Sequence, residues 1–281
     1  MKRILSTVVL LVFIATVGAS AEIKLSSWTP IFTGIDQASI SIDGKDASVA
    51  YAMRVDLRAK GISFIGTPHT GTLDTVSDTV SDFAAKNHAQ VAINTGFFSP
   101  CCHAVAESKD ILGLSIVDGK IVSPPSDNGK YNDALLIAQH NKATITTVSS
   151  TTNLSKVLVA VAGSAVIVQK GKNTGDVNKL NGADAANPRT AVGLSKNRRY
   201  LYLIVVDGRH PGYSIGTTNR ETADMLIRLG AYTALNLDGG GSTTMVKQNK
   251  QGGIEIVNRP SGGKERLDAS ALGVRAFLLH E

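Results

Sequence analysis

Three segments of the sequence place a polar residue and a glycine directly after an apolar run. Asn94 begins the segment Asn-Thr-Gly-Phe-Phe, Asp207 begins Asp-Gly-Arg-His, and Asp238 begins Asp-Gly-Gly-Gly-Ser. Glycine beside a polar side chain lets a ligand approach the backbone, and loops that leave strand ends can converge on one cleft. Carboxyl groups in such a cleft can donate and accept protons. The three loops therefore predict one active site that contains Asn94, Asp207 and Asp238.

Each of these residues also has a purely structural interpretation. An Asp-Gly pair is typical of a turn, so Asp207 could be a turn residue, and Asn94 could be a buried turn-former. Three consecutive glycines after Asp238 cost more folding entropy than a simple turn requires, which favours a functional loop there. Glu221 is a third candidate carboxyl group, although Thr218 and Glu221 also match the pattern of a helix capping box.

Two arginines are candidates for binding an anion. Arg189 follows Pro188 and leads into an apolar run. Burying an arginine is costly unless it is paired with a carboxylate or a bound phosphate, and its planar guanidinium suits both. A structural pair with a carboxylate is the alternative for Arg189. Arg209, two residues after Asp207, could bind an anion or be solvated.

The elements that position these candidates are mostly strands. The β-branched and aromatic run 200–206 predicts a strand, and further strands are expected at 90–93, 112–117, 134–138, 157–161, 166–169, 233–237, 243–247 and 272–279. The runs 157–161 and 166–169 are expected to pair with each other around Gly163. Helices are expected at 75–85, capped by Thr75, and at 218–229, ended by Gly230. The sequence thus predicts a single α+β domain of mixed β-sheets with a few packed helices.

The first 21 residues have the order of features typical of a secretory signal peptide. Lys2 and Arg3 precede an apolar run at 8–17, and small residues at 19–21 offer a cleavage site. The apolar run is shorter than the roughly 20 residues that span a bilayer, which favours cleavage over a retained anchor. We expect a signal peptide at 1–21, a domain at 22–281, and a secreted or periplasmic protein without a stable membrane anchor.

Charge and cysteine content limit the classes of function. Without Lys2 and Arg3 the chain has 27 basic and 23 acidic residues, and they do not cluster into the basic patch that nucleic-acid binding requires. No spacing of ligands implies a metal or another cofactor, although a divalent metal among the aspartates is possible. The only two cysteines, Cys101 and Cys102, are neighbours and are expected to be buried or paired thiols with a local structural role. A redox element, or a metal site with His103, is the weaker alternative.

The order of four motifs provides a resemblance to a known family. The motifs are Asn94-Thr95-Gly96-Phe97-Phe98, Pro188-Arg189-Thr190-Ala191-Val192-Gly193, Val206-Asp207-Gly208-Arg209 and Ala234-Leu235-Asn236-Leu237-Asp238-Gly239-Gly240-Gly241-Ser242. In this order they resemble the phosphodiester glycosidase family, and the similarity extends from residue 51 to residue 281. Thr95, where many members have glycine, and the adjacent cysteines depart from the family's pattern.

The resemblance implies a hydrolase that cleaves a glycosidic bond whose leaving group is a phosphodiester or a similar anion. Such hydrolysis usually needs two carboxyl groups, for which Asp207 and Asp238 are the first pair and Glu221 the reserve. A carbohydrate or sugar-phosphate substrate would be bound by Asn94, Gly96, Phe97, Phe98, Arg189, Arg209, Gly239, Gly240, Gly241 and Ser242.

Two other functions remain open at this level. A glycosidase that acts on neutral or sialic-acid-like glycans would use the same carboxyl groups, with Arg189 holding a carboxylate instead of a phosphate. A non-catalytic protein that binds envelope glycans would keep the cleft without needing matched carboxylates. A serine hydrolase is remote because Ser242 lacks the Gly-x-Ser-x-Gly elbow. The sequence sets neither the oligomeric state nor the stereochemical outcome.

Overall fold

Antiparallel sheets dominate the structure because the sequence contains many short β-branched runs separated by turn residues. The computed structural model describes residues 22–44, 47–176 and 182–279. Within these ranges every pair of neighbouring strands is antiparallel, and there are two α-helices, α1 (Val80–Lys86) and α2 (Asn219–Leu229). The expected α+β domain is therefore poor in helix and mostly β-sheet. We expected mixed sheets, but these strands pair only in the antiparallel sense.

The largest sheet has nine strands. They are β1 (Ile23–Leu25), β2 (Thr29–Phe32), β3 (Ile35–Ile42), β4 (Ser48–Asp56), β15 (Ala165–Gln169), β16 (Lys172–Asn173), β17 (Arg189–Ser195), β18 (Tyr200–Val206) and β19 (Ala231–Asn236). Their spatial order is β1-β3-β4-β18-β17-β19-β15-β16, with β2 paired to β3. The strands that precede or follow the Arg189, Asp207 and Asp238 loops are therefore neighbours at the centre of this sheet.

Three smaller sheets complete the part of the fold that the structure describes. One five-stranded sheet consists of β10 (Ser115–Val117), β11 (Lys120–Ser123), β12 (Asp133–Ala138), β13 (Lys142–Thr147) and β14 (Val157–Gly163). The other consists of β5 (Ser63–Gly66), β7 (Val91–Asn94), β20 (Met245–Gln248), β21 (Ile254–Ile256) and β22 (Ala271–Arg275). A three-stranded sheet consists of β6 (Thr75–Val76), β8 (Phe98–Ser99) and β9 (Ser108–Ile111).

Both faces of the nine-stranded sheet are buried. Leu203 packs into a core shared with the two five-stranded sheets, and its neighbour Ile204 packs into a second core on the opposite face. Successive side chains of a strand point to opposite faces, so β18 needs an unbroken apolar run to be buried on both. Helix α2 covers the second core with Ala223 and Leu226. This double burial explains why the run 200–206 was recognisable from its composition.

The two helices differ in how well the sequence predicted them. For α2, the Thr218 side chain accepts a hydrogen bond from the Glu221 backbone, the reciprocal bond is present, and Gly230 ends the helix with φ of 106°. The capping box and the left-handed C-cap are confirmed. For α1, the expected Thr75 cap is wrong. The helix begins at Val80, and Thr79 is its N-cap.

The expected pairing of 157–161 with 166–169 is also wrong. Strand β14 pairs with β10 and β12, whereas β15 pairs with β19 in the nine-stranded sheet. The chain changes sheets at Gly163, where a Cβ would lie 2.2 Å from the Asn236 carbonyl oxygen. A glycine between two apolar runs marked a close backbone approach between sheets rather than a hairpin.

Cys101 and Cys102 form a disulfide with each other, and both are exposed. They are thus paired, one of the two expected states, but not buried. The expected signal peptide at 1–21 lies outside the described residues. No helix within the described part of the chain is both long and apolar enough to cross a membrane.

Candidate active site

The candidate loops meet at one edge of the sheets because antiparallel partners bring opposite strand ends together. Arg189 at the start of β17 lies opposite Val206 at the end of β18. Asn94 at the end of β7 lies opposite Ala271 at the start of β22. The two sheets are joined where the Asp238 backbone N–H donates to the Thr95 carbonyl over 2.8 Å. The sequence-predicted loops therefore converge, as the strand-end argument required.

Asn94 lies beneath the site and holds its loops together. Its side-chain Nδ2 donates to the Asp238 carbonyl oxygen over 2.7 Å. Its Oδ1 accepts hydrogen bonds from Thr190 Oγ1 over 2.7 Å and from the Thr244 backbone N–H over 3.1 Å. The residue is 1% exposed. The structure thus places Asn94 as a link between the end of β7 and the Asp238 loop.

Asp238 is the predicted carboxyl residue of the glycine-rich loop at this edge. It is partly exposed, and its Oδ1 accepts a hydrogen bond from the Gly239 backbone N–H over 2.9 Å. Burial raises the pKa of Asp238 to about 6, against the lowering effects of Ser242, Arg266 and the Gly239 backbone. A carboxyl group with a pKa near the working pH is suited to acid–base chemistry.

Each of the three glycines after Asp238 has a close neighbour, which is backbone at Gly239 and an arginine side chain at Gly240 and Gly241. A Cβ at Gly239 would lie 2.6 Å from the Pro188 carbonyl oxygen. Gly240 has φ of 63°, and a Cβ there would lie 3.1 Å from Arg209 Nη2. A Cβ at Gly241 would collide with the guanidinium of Arg266. Two arginines therefore lie against this loop, one beside Gly240 and the other beside Gly241.

These arginines differ in exposure. Arg209 is exposed, and its Nη2 donates to Asn187 Oδ1 over 3.0 Å. Arg266 is partly buried, and its Nη1 donates to Ser242 Oγ over 3.3 Å. Ser242 is itself fully buried. Its hydroxyl therefore interacts with Asp238 and Arg266 from a buried position.

Arg189 holds neighbouring loops together through hydrogen bonds to their backbone carbonyls. It is 4% exposed, its Nε donates to the Thr217 carbonyl over 2.7 Å, and its Nη2 donates to the carbonyls of Gly182 and Ala185 over 2.9 and 2.6 Å. Burial lowers the pKa of Arg189 to about 10, while the charge of Glu221 raises it. The sequence argument required a carboxylate or phosphate partner, and the structure supplies backbone carbonyls.

Glu221 and Asp207 are both engaged by neighbouring protein groups. One Glu221 oxygen accepts hydrogen bonds from the Thr218 backbone N–H and hydroxyl, each over 2.8 Å. Asp207 is 0% exposed. Its Oδ1 accepts from Asn258 Nδ2 and from the Arg259 backbone N–H over 3.0 and 2.9 Å. Its Oδ2 accepts from the hydroxyl of Tyr213 over 2.9 Å. Burial raises the pKa of Asp207, and these three hydrogen bonds lower it.

The Phe97-Phe98 segment divides between site and core. Phe98 is buried with Ile111 and Ala269. Phe97 is partly exposed, and its ring centroid lies 5.0 Å from that of Tyr131. The Gly96 backbone N–H donates to Ser270 Oγ over 2.8 Å. Phe97 is therefore the member of the pair that can form an apolar wall.

Sequence reasoning missed Asp268 and Arg266. Asp268 is 5% exposed, and its carboxyl group lies close enough to Asp238 for the two charges to interact. Burial and, after it, the Asp238 charge raise the pKa of Asp268 well above its ordinary value. The one available signal was a cluster of four charged residues at 264–268, just before the apolar run at 271–274. No motif marks Arg266 or Asp268 within it.

The assembled groups combine a carboxyl group of raised pKa with nearby positive charge. Asp238 can exchange protons, and Arg209 and Arg266 can bind an anion. Within the described ranges no group of three or more His, Cys, Asp or Glu side chains is arranged to hold a metal ion. The expectation that no cofactor is needed remains a prediction.

Comparison with known proteins identifies relatives of this arrangement. Residues 87–275 match the phosphodiester glycosidase family model. The catalytic domain of zebrafish N-acetylglucosamine-1-phosphodiester alpha-N-acetylglucosaminidase, auto-inhibited by its pro-peptide, has a similar fold, with a TM-score of 0.63 and 21% identity over 92% of this chain and 89% of that chain. A Burkholderia pseudomallei protein described as exported gives a TM-score of 0.71 at 14% identity, over 92% and 97% of the two chains. The sequence has no match among curated proteins.

Proposed function

The chain belongs to the phosphodiester glycosidase family, and from this premise we propose that it is an exported enzyme that hydrolyses a sugar-1-phosphodiester or a related anionic glycoside. Membership makes it a glycosidase-type hydrolase that acts on carbohydrate. The class of glycosidic bond is inferred from the groups at the site.

The observation that carries the proposal is the position of two arginines against the glycines that follow Asp238. The guanidinium groups of Arg209 and Arg266 lie beside Gly240 and Gly241. A phosphate that reaches this loop would meet the guanidinium of Arg209 beside Gly240 and that of Arg266 beside Gly241. Arginine binds phosphate oxygens in a bidentate manner, and glycine lets the phosphate approach the backbone.

A phosphate leaving group changes what the carboxyl groups must do. A phosphomonoester is a stable anion, so its departure depends more on neutralising charge than on receiving a proton. Arg209 and Arg266 would supply that neutralisation. Asp238, with a pKa of about 6, would give or take a proton at the glycosidic bond. Asp207 was the other carboxyl group predicted from the sequence, and its three hydrogen bonds support a positioning role instead.

Export is supported by two independent features. The order of charge, apolar run and small residues in 1–21 is typical of a signal peptide. The disulfide between Cys101 and Cys102 is a bond that persists in oxidising compartments outside the cytoplasm. We propose a secreted or periplasmic location on these grounds.

The test is hydrolysis by residues 22–281 of a sugar-1-phosphodiester, such as a nucleotide sugar, and of the matching neutral aryl glycoside. We expect release of free sugar from the phosphodiester. Arg266→Ala should lower kcat/KM for it by about tenfold or more, since one charged hydrogen-bonding partner contributes roughly 1.5–3 kcal/mol. Arg199→Ala is the matched control, because Arg199 lies at the opposite end of strands β17 and β18 and pairs with Asp56.

Three results would contradict the proposal in different ways. Cleavage of the neutral glycoside alone would keep the glycosidase and remove the phosphodiester. Equal losses of kcat/KM in the Arg266 and Arg199 variants would show that Arg266 makes no specific contribution to hydrolysis. Binding of an envelope glycan without turnover of either substrate would indicate a non-catalytic protein.

A further inference from the structure

Asp268 is fixed next to the glycine loop by its own backbone. Its N–H donates to the Asp78 carbonyl over 2.9 Å, and its carbonyl accepts from the Asp78 N–H over 3.0 Å. Three residues later the chain enters β22, which pairs with both β5 and β7. The Asp268 side chain therefore has little freedom to turn towards solvent, and it is buried where it lies.

Neither carboxyl oxygen of Asp268 has a hydrogen-bond partner among the described residues. An ionised carboxylate in such a position loses its hydration without replacement, which is strongly unfavourable. A neutral carboxylic acid loses much less. The geometry of the pocket therefore favours the protonated form of Asp268, independently of any neighbouring charge.

The charged neighbours of Asp268 also influence whether its carboxyl group is ionised. Asp238 and Glu265 disfavour its ionisation, and Arg266 favours it. Across the backbone bridge, Asp78 directs its carboxylate to Lys86. Arg266 also acts on Asp238 and donates to the Ser242 hydroxyl, so its charge is shared. The positive charge of Arg266 is therefore divided between two carboxyl groups.

The hydroxyl of Ser242 is a neighbour of both carboxyl groups. It favours the ionised form of both Asp238 and Asp268, although its contact with Asp268 does not meet hydrogen-bond geometry. A serine hydroxyl has one proton to donate and can also accept. If it donates to Asp238, it can accept the proton of Asp268 after a small adjustment.

We propose that Asp268 is the proton-holding partner of Asp238, connected to it through the Ser242 hydroxyl. Asp268 stays a neutral acid, so an anionic substrate meets one negative charge rather than two. When Asp238 needs a proton, the hydroxyl proton of Ser242 passes to Asp238, and the Asp268 proton replaces it on Ser242. The net charge of the three side chains is unchanged. This role rests on the proposed function for its substrate but not for the location of the proton.

The location of the proton is tested by a carboxyl ¹³C NMR titration of residues 22–281 and its Asp268→Asn variant. In the parent, one buried carboxyl should titrate near pH 6, as expected for Asp238, and a second should keep its proton to higher pH. The variant should lose the second titration and keep the first. If Asp268 is ionised at neutral pH, the inference is overturned whatever the catalytic activity.

Kinetics test whether the proton is used. Asp268→Asn should keep the fold and lower kcat for a sugar-1-phosphodiester by about 10- to 100-fold, towards the lower end of general acid–base contributions. It should also remove the decline in rate on the alkaline side, which reflects loss of the Asp268 proton. Ser242→Ala should lower kcat similarly, and the double variant should be no worse than either single variant, because both interrupt one proton path.

The matched control is Asp78→Asn, which keeps the backbone bridge and changes an acid outside the pair. It should retain the kcat and pH profile of the parent. An Asp268→Asn variant with the parent's kcat and pH profile would show that Asp268 is only structural. A parent protein that hydrolyses no sugar phosphodiester contradicts the proposed function instead, and the titration still decides where the proton lies.

Discussion

Two Asp-Gly pairs follow two neighbouring strands of the same sheet, and the structure uses them differently. Asp207 follows β18 and is fully buried, with three donors on its two carboxyl oxygens. Asp238 follows β19, is partly exposed, and has a backbone hydrogen bond from Gly239. The dipeptide is the same, but the number of donors and the access of solvent differ.

The difference shows how an aspartate is assigned to support or to chemistry. A carboxylate whose two oxygens both accept hydrogen bonds from protein stabilises a loop and keeps few lone pairs for a ligand. A carboxylate with fewer protein donors, on a residue that is only partly buried, keeps lone pairs with which it can meet a substrate. By this criterion Asp207 supports the site, and Asp238 is the carboxyl that a substrate can reach.

The largest expected effect is on catalysis at Asp238. Asp238→Asn keeps the shape of the side chain but removes its ability to accept and donate a proton. We expect kcat for a sugar-1-phosphodiester to fall by about 10³-fold, within the range of acid–base contributions, without loss of melting temperature. Steady-state kinetics and thermal unfolding check this. Unchanged kcat in a folded variant would show that Asp238 is not catalytic.

The next effect is on stability at Asp207. Asp207→Ala leaves the Asn258 amide, the Arg259 N–H and the Tyr213 hydroxyl without their acceptor. Unpaired buried donors cost roughly 1–3 kcal/mol each, and some will find water, so we expect a loss of about 3 kcal/mol in the free energy of unfolding. Denaturant unfolding measures it.

The isosteric variant Asp207→Asn separates support from catalysis at the same position. If Asp207 acts only as support, this variant should keep more activity per folded molecule than Asp238→Asn. If Asp207 is a catalytic carboxyl, as the sequence alone predicted, Asp207→Asn will be inactive with its stability nearly intact. That outcome would reverse the assignment of the two loops.

The smallest effect is the pH dependence of stability at Asp238. Its pKa is about 6 in the folded chain against an ordinary value of 3.8, so the folded state binds this proton more tightly than the unfolded state. The resulting stability is present below about pH 4 and is lost as pH rises to about 6. Asp238→Asn lacks this loss, so its stability relative to the parent should increase by about 2 kcal/mol between pH 4 and pH 7.

Unfolding at several pH values measures that difference between the two proteins. The Asp268 carboxyl changes in the same direction, because Asp238 raises its pKa in the parent. A difference that does not vary with pH would show that Asp238 is solvated like an ordinary surface carboxylate. The contrast between the two Asp-Gly loops would then rest on hydrogen bonding alone.

Much of the fold was predictable because its signals are local. Strand β18 is buried on both faces, so its unbroken β-branched run identifies it. Helix α2 is bounded by a capping box and a left-handed glycine, each made within a few residues. The start of α1 was misplaced because Thr75 and Thr79 offer the same cap, and the pairing of Thr75 with Lys109 in a distant strand excludes the earlier start.

The sequence by itself determined the family, the strands and the convergence of loops at Asn94, Arg189, Asp207 and Asp238. Motif order and apolar runs are recorded directly in the chain. Only the tertiary structure decided which of these residues face inwards, because a side chain's donors come from segments far along the chain. Asn258 donates a hydrogen bond to Asp207 from 51 residues along the chain. Asp268 lies near Asp238, and no sequence motif predicts this. Burial and hydrogen bonding between such segments separate the supporting carboxyl from the reactive one.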